Sequence, residues 1–340
     1  MTKVVTFGEI LMRMSPPNNL MYDQASSFDV TYGGGEFNVA ASLVNYGIEA
    51  DFITILPQNP IAECAINTIK NYGVGYKNIL RKGNRIGIYF LENGIANRNS
   101  KVVYDRTNSS ISQIKKGDID WKLVFKDADW FHWSGITPAL SKTAAEVCLE
   151  ATETASKMGL TISTDLNYRS KLWNYGKHPK ELIPKLLAYS NVILSDIDTA
   201  RFMLGLEKIY PDYANDILIK ENFEQLKKML PNARTIAMTV RNCISASHYK
   251  IGGLLYKDNT LYRAKKHDVN PVLDRVGSGD AFMAGLLYGL VKFPDNLQKV
   301  VSFATGTCVL KHSIFGDINR VTKEEVLNFI NTNGSAKVDR

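Results

Sequence analysis

The chain has 340 residues, 45% hydrophobic and 22% charged, a composition that supports a large buried core and excludes a disordered or low-complexity chain. Its longest uncharged apolar run, residues 281–291, falls far short of the roughly 20 residues a membrane span requires. The net charge of +7 is dispersed, with no cluster longer than Lys265-Lys266-His267, and the four cysteines and five histidines lack metal-ligand spacing; small anions are therefore expected as partners, with no nucleic acid and no structural zinc.

In chain order, the first predicted strand is Val4–Ile10, entered without a charged-then-apolar leader, so a cytoplasmic location is expected. Further strands are predicted at 51–56, 130–133, 161–165, 192–195 and 235–240. Helical patterns occupy 36–46, 61–72, 142–158, 180–188, 221–230, 297–311 and 323–330. Short apolar strands alternating with helices predict an α/β fold with a mostly parallel sheet covered on both faces. Such folds bind ligands at the carboxyl ends of their strands.

Two segments break the alternation. Residues 11–32 and 86–112 carry strand-like runs without helical partners, among them Gly87–Glu92 and Lys101–Tyr104 joined by a polar loop. The expected organisation is an α/β core of residues 1–10, 33–85 and 113–330, a small β-lid of residues 11–32 and 86–112 over a ligand site, and a flexible tail at 331–340. The appendage reads either as a flap closing over a ligand or as an exposed hairpin used for subunit contact, and an open edge favours a homo-oligomer.

Two glycine clusters carry the chemistry. Gly33-Gly34-Gly35 opens a helix whose Asn38, one turn in, either contacts a hydroxylated ligand or ties the loop to the helix. Near the other end, Asp274-Arg275-Val276-Gly277-Ser278-Gly279-Asp280-Ala281-Phe282 delivers an aspartate to the start of an uncharged helix. Gly277 and Gly279 let successive amides converge beside the positive helix end, which makes an anion cradle. Asp280 is then either a base beside that cradle or a helix cap. Neither cluster completes G-x-G-x-x-G, and G-x-x-x-x-G-K-[ST] is absent, which argues against dehydrogenase and P-loop chemistry.

Together with Gly8-Glu9, the run His132–Leu140, Asp165-Leu166-Asn167-Tyr168-Arg169 and Lys311–Asp317, these motifs resemble those of the PfkB, or ribokinase-like, sugar kinases. The resemblance covers about residues 1–330 and is nearest to the branch acting on 2-keto-3-deoxygluconate. It implies a ribokinase-like three-layer sandwich and phosphoryl transfer from ATP with Mg²⁺. Asp280 is then the base, and the 276–279 amides, with Gly277, Ser278 and Gly279 foremost, form the anion hole. The resemblance places the sugar acid against Glu9, Gly33, Gly34, Asn38, Tyr89, Tyr104, Arg106 and Arg169, the two arginines being suited to a carboxylate. It places ATP near Ser195, Thr239, Gly277 and Gly279, and leaves Arg241 as a phosphate ligand or a surface residue. Asp198 aligns with a family glutamate that orders the water shell of Mg²⁺; Asp196 or Asp198 can equally cap the helix that follows. The expected reaction is phosphorylation of the terminal (C6) hydroxyl of 2-keto-3-deoxygluconate. The alternatives are a neutral-sugar kinase of fructokinase or ribokinase type and a non-catalytic sugar-binding regulator.

Overall fold

The computed structural model describes residues 2–209, 212–332 and 334. Strands β1 (Lys3–Phe7), β2 (Leu11–Ser15) and β3 (Asp29–Gly33) precede helix α1 (Gly35–Asn45). There follow β4 (Glu49–Ile53), β5 (Ile55–Leu56), α2 (Pro60–Asn71), β6 (Leu80–Arg81), β7 (Gly87–Glu92) and β8 (Lys101–Asp105). The middle of the chain alternates: α3 (Trp121–Val124), β9 (Trp130–Ser134), α4 (Lys142–Lys157), β10 (Thr161–Asp165), α5 (Pro179–Leu187), β11 (Val192–Leu194), α6 (Ile197–Met203) and α7 (Asp216–Met229). The last third holds β12 (Thr235–Ser245), β13 (His248–Lys257), β14 (Thr260–Arg263), β15 (His267–Val269), α8 (Ser278–Lys292), α9 (Leu297–Lys311) and α10 (Lys323–Asn331).

The main sheet runs β14-β13-β12-β11-β10-β9-β1-β4, with β15 paired to β13. From β12 to β4 its pairs are parallel, whereas β13, β14 and β15 add antiparallel. Period-two alternation divides each strand between two faces. Val4 of β1 joins the cluster built with α1, α2, α8, α9 and α10, whereas Val5 and Phe7 join the one built with α3 to α7. The result is a three-layer sandwich of the ribokinase-like type, α/β with a mostly parallel central sheet.

Helix starts are set locally. Asn59, Ser141 and Asn215 each accept a backbone N–H as caps of α2, α4 and α7, and Thr322 with Glu325 makes a capping box for α10. The Asn215 cap starts α7 five residues before the predicted Glu221. The strand predicted to end at Val240 continues to Ser245, because a ladder to β13 carries it through exposed residues. The tail expected at 331–340 lies, beyond Thr332 and apart from Gly334, outside the described residues.

A separate four-stranded sheet, β3-β2-β7-β8, stands over the carboxyl ends of the main strands; β2 and β7 are parallel, the other pairs antiparallel. Leu11, Tyr89 and Leu91 of this sheet pack with Val102, Tyr104 and, from the glycine-rich loop before α8, Val276. That contact places the small sheet directly beside the anion cradle.

Candidate active site

One cavity of about 470 Å³ lies between the small sheet and the main sheet. Gly33, Gly34 and Asn38 line it, as do Tyr89, Tyr104 and Arg106 of the small-sheet segments. Asp165 and Arg169 enter from β10 and the loop after it, Ser195 and Asp196 from the end of β11, Thr239 and Arg241 from β12, and residues 275–280 from the start of α8. Residues more than two hundred positions apart in sequence thus meet where parallel strands end and a helix begins, the usual ligand position of such folds.

The cradle before α8 requires glycine at one position above all. Gly277 has φ +77°, and a Cβ built there would stand 1.8 Å from the Asp317 carbonyl oxygen. Gly277 is also the N-cap of α8, without a side-chain cap. Asp280 sits in the first turn and does not cap the helix, so the capping alternative falls. Among the described residues the N–H groups of Gly277 and Gly279 have no hydrogen-bond partner and remain for a ligand. The expected use of the Val276 and Ser278 amides is corrected: Val276 N–H donates to Asp274 Oδ1 at 3.0 Å, and Ser278 N–H to the Arg275 carbonyl at 3.4 Å.

Asn38 Nδ2 donates to Asp280 Oδ2 at 2.7 Å, while its Oδ1 accepts from the Gly34 N–H at 3.2 Å. Asn38 therefore holds the loop and aims the carboxylate. Burial, then Glu36 and Asp317, push the Asp280 carboxyl up to about 7, against the Asn38 hydrogen bond and Arg169. Asp165, a cavity residue that sequence reasoning left unassigned, is pushed up to about 7 by burial and then by the charge of Asp280. Glu36 does not reach the cavity. Its Oε1 accepts from Ser134 Oγ at 2.6 Å and Thr137 Oγ1 at 2.8 Å, tying α1 to the end of β9.

Where the small sheet borders the cavity, Arg106 is 7% exposed and paired with Glu9 through Nε (2.7 Å) and Nη2 (2.6 Å). Glu9 itself lies behind Arg106 and not in the cavity lining, which corrects its expected place against the sugar. Arg169 lines the cavity and has no ion pair among the described residues; its Nη1 donates to the Tyr168 carbonyl. Tyr89 OH donates to Asp317 Oδ2 at 2.5 Å, and Asp317 is a second cavity carboxylate that sequence reasoning missed. The only signal for it was its place after Gly316 in the quoted Lys311–Asp317 run.

Where β11 ends and along β12, Ser195, Thr239 and Arg241 line the cavity, Arg241 lying over the Tyr249 ring at 5.7 Å. Arg275, also missed, lines it, and its side chain has no hydrogen bond or ion pair among the described residues. Asp198 is corrected: it stands off the cavity, its Oδ1 accepting from the Ile209 N–H at 2.8 Å. Asp196 caps α6 by accepting from the Thr199 N–H at 2.8 Å and does line the cavity. Among the described residues no group of three His, Cys, Asp or Glu side chains could hold a metal by itself. The cavity carboxylate Asp196 would fit a cation brought by phosphates and touched through water.

The sequence model of the pfkB family carbohydrate kinases matches residues 1–321. The 2-dehydro-3-deoxygalactonokinase of Haloferax volcanii is 29% identical over 338 residues, covering 99% of each chain. The crystal structure of 2-dehydro-3-deoxygluconokinase from Thermotoga maritima superposes with a TM-score of 0.92 at 37% identity, covering 97% of this chain and all of that one. A putative 2-keto-3-deoxygluconate kinase from Enterococcus faecalis superposes with a TM-score of 0.90 at 26% identity, covering 100% of this chain and 99% of the other.

Proposed function

Because the chain belongs to the pfkB family of carbohydrate kinases, we propose that its cavity takes a 2-keto-3-deoxy sugar acid and ATP. The product is then the acid phosphorylated on its terminal (C6) hydroxyl, 2-keto-3-deoxy-6-phosphogluconate when the substrate is 2-keto-3-deoxygluconate. The single observation that carries this reading is that Arg106 and Arg169 line the same cavity as Asp280. A substrate with a carboxylate at one end and a primary hydroxyl at the other can then meet cations and base together.

Asp280 accepts the proton of the terminal hydroxyl as that oxygen bonds to the γ-phosphorus, and the bond from the γ-phosphorus to the β,γ-bridging oxygen breaks to release ADP. The amides of Gly277 and Gly279 at the positive end of α8 stabilise the charge spread over the transferring phosphoryl oxygens. Arg241, Thr239 and Ser195 face the nucleotide. Mg²⁺ carried by ATP supplies charge neutralisation at the phosphates, with Asp196 the carboxylate able to meet its water shell. Four free cysteines fit a reducing, cytoplasmic setting. The unpaired outer edges of β3 and β8, with Val30 and Val103 about half exposed, fit assembly into a homo-oligomer.

One observation favours a second reading: the Glu9 carboxylate already neutralises Arg106. A neutral-sugar kinase would keep that pair as structure. ADP release with ATP, Mg²⁺ and a panel of 2-keto-3-deoxygluconate, 2-keto-3-deoxygalactonate, 2-ketogluconate, fructose and ribose separates the two. Turnover confined to the keto acids supports the carboxylate reading, and turnover on fructose or ribose alone sinks it while leaving Asp280 in place.

A further inference from the structure

Arg13, on β2 of the small sheet, plays no part in the site as described so far, yet it is only 4% exposed and all three of its nitrogens are engaged. Nη1 meets Asp317 Oδ1 at 2.8 Å, Nη2 meets Asp274 Oδ2 at 2.7 Å, and Nε donates to Ser15 Oγ at 2.8 Å. The two carboxylates are not passive partners. Asp274 accepts the Val276 N–H on Oδ1 and, at 3.1 Å, the Gly316 N–H on Oδ2, so it ties the glycine-rich loop to the turn that carries Asp317. Asp317 accepts Tyr89 OH on its other oxygen, and its backbone carbonyl lies against Gly277.

The guanidinium therefore joins three pieces: the small sheet, the loop that presents the amides of Gly277 and Gly279, and the turn bearing Asp317. The other cation beneath the loop, Lys311, is fully buried and donates from Nζ to the Ile314 carbonyl at 3.0 Å. Buried ion pairs give little net stability when weighed against apolar packing. A planar, always charged fork does hold two carboxylates at a fixed separation, which an ammonium does not.

We propose that Arg13 is a positioning residue for phosphoryl transfer: it sets the amides of Gly277 and Gly279 in register with the sugar-side wall made by Tyr89 and Asp317. The proposal rests on the reading that those amides receive the γ-phosphate, where a displacement of about 1 Å is enough to cost roughly 10²-fold in rate.

The test uses the full-length protein and compares calorimetric binding of ADP with that of a non-hydrolysable ATP analogue, in wild type, Arg13→Lys and Ser15→Ala. Melting temperature and kcat are measured alongside. Arg13→Lys is expected to weaken the analogue about tenfold while ADP changes less than about twofold, because only the analogue carries the phosphate the amides hold. Ser15→Ala leaves both ion pairs in place and loosens only the orientation of the guanidinium, so it is expected to show the same selectivity at about threefold. If Arg13→Lys does not fold, Ser15→Ala decides alone. Equal weakening of both nucleotides marks general damage and overturns the proposal, as does a wild-type preference for the analogue that survives in the variants. Equal affinity for ADP and analogue in the wild type sinks the anion-hole reading itself, a separate failure.

Discussion

Burial and the carboxylates of Glu36 and Asp317 raise the proton affinity of Asp280, and the amide of Asn38 and the charge of Arg169 oppose them. As the proposed base it must be deprotonated to act, so kcat/KM is expected to rise with pH through about 7 and level off above. Asp280→Asn is expected to lower turnover by at least ~10²-fold with nucleotide binding kept; near-normal turnover would remove Asp280 from catalysis. The same shift has a stability consequence. A carboxyl whose folded value lies above its ordinary 3.8 favours the folded state below that value and loses this contribution as pH rises through about 7. Asp280→Asn is therefore expected to melt higher than wild type at pH 8, with the difference closing near pH 4. A lower melting temperature at pH 8 would mean that the Asn38 hydrogen bond outweighs burial. Arg169, exposed and without an ion pair among the described residues, offers a cleaner probe than Arg106, whose loss strands a buried Glu9. Arg169→Met is expected to leave the melting temperature unchanged and to cut kcat/KM for a keto acid by roughly 10- to 100-fold, the range for hydrogen bonds to a charged group. Unchanged kinetics would place Arg169 on the surface.

Helix α8 supports Asp280 only as well as it is itself held. It packs on α9 through glycine, a Cβ at Gly285 standing 2.9 Å from Ala304 Cα and 2.6 Å from Thr307 Oγ1. Gly285→Val is therefore expected to push the two helices apart, at a cost of roughly 1–3 kcal/mol, and to lower kcat by moving Asp280 away from Asn38. Chemical denaturation and steady-state kinetics check both parts, and full activity at reduced stability would show that the first turn of α8 is held by its loop alone. The uncharged stretch 281–291 already announced a buried helix, because a helix apolar on all sides has nowhere else to go. Although Asp258-Asn259, both left-handed, make the two-residue turn of a β13–β14 hairpin, the predicted elements omitted β13 to β15. Their role as the antiparallel end of the main sheet depends on ladders to β12 that form only when distant segments meet.

The whole molecule joins a cavity wall carried by the small sheet, the proposed sugar side, to one carried by α8 and the main strands, the proposed phosphate side. A ligand that bridges the two stabilises the fold by mass action, about 2.7 kcal/mol at one hundred times its Kd. A keto acid in that excess is accordingly expected to raise the melting temperature where fructose does not; equal shifts would point to the neutral-sugar reading. Alternation of short apolar strands with amphipathic helices, the two glycine clusters and the family resemblance were all legible in the chain itself. Hydrophobic period and the backbone freedom of glycine are properties of neighbours in sequence. Which carboxylates face one another was not legible. Glu9 turned to Arg106, Asp198 turned to the Ile209 amide, and Asp165 and Asp317 came into the cavity, while Arg13 reached Asp274 and Asp317 across more than 250 residues. Ion pairing and burial are set by distances in space, and only the tertiary structure decides those.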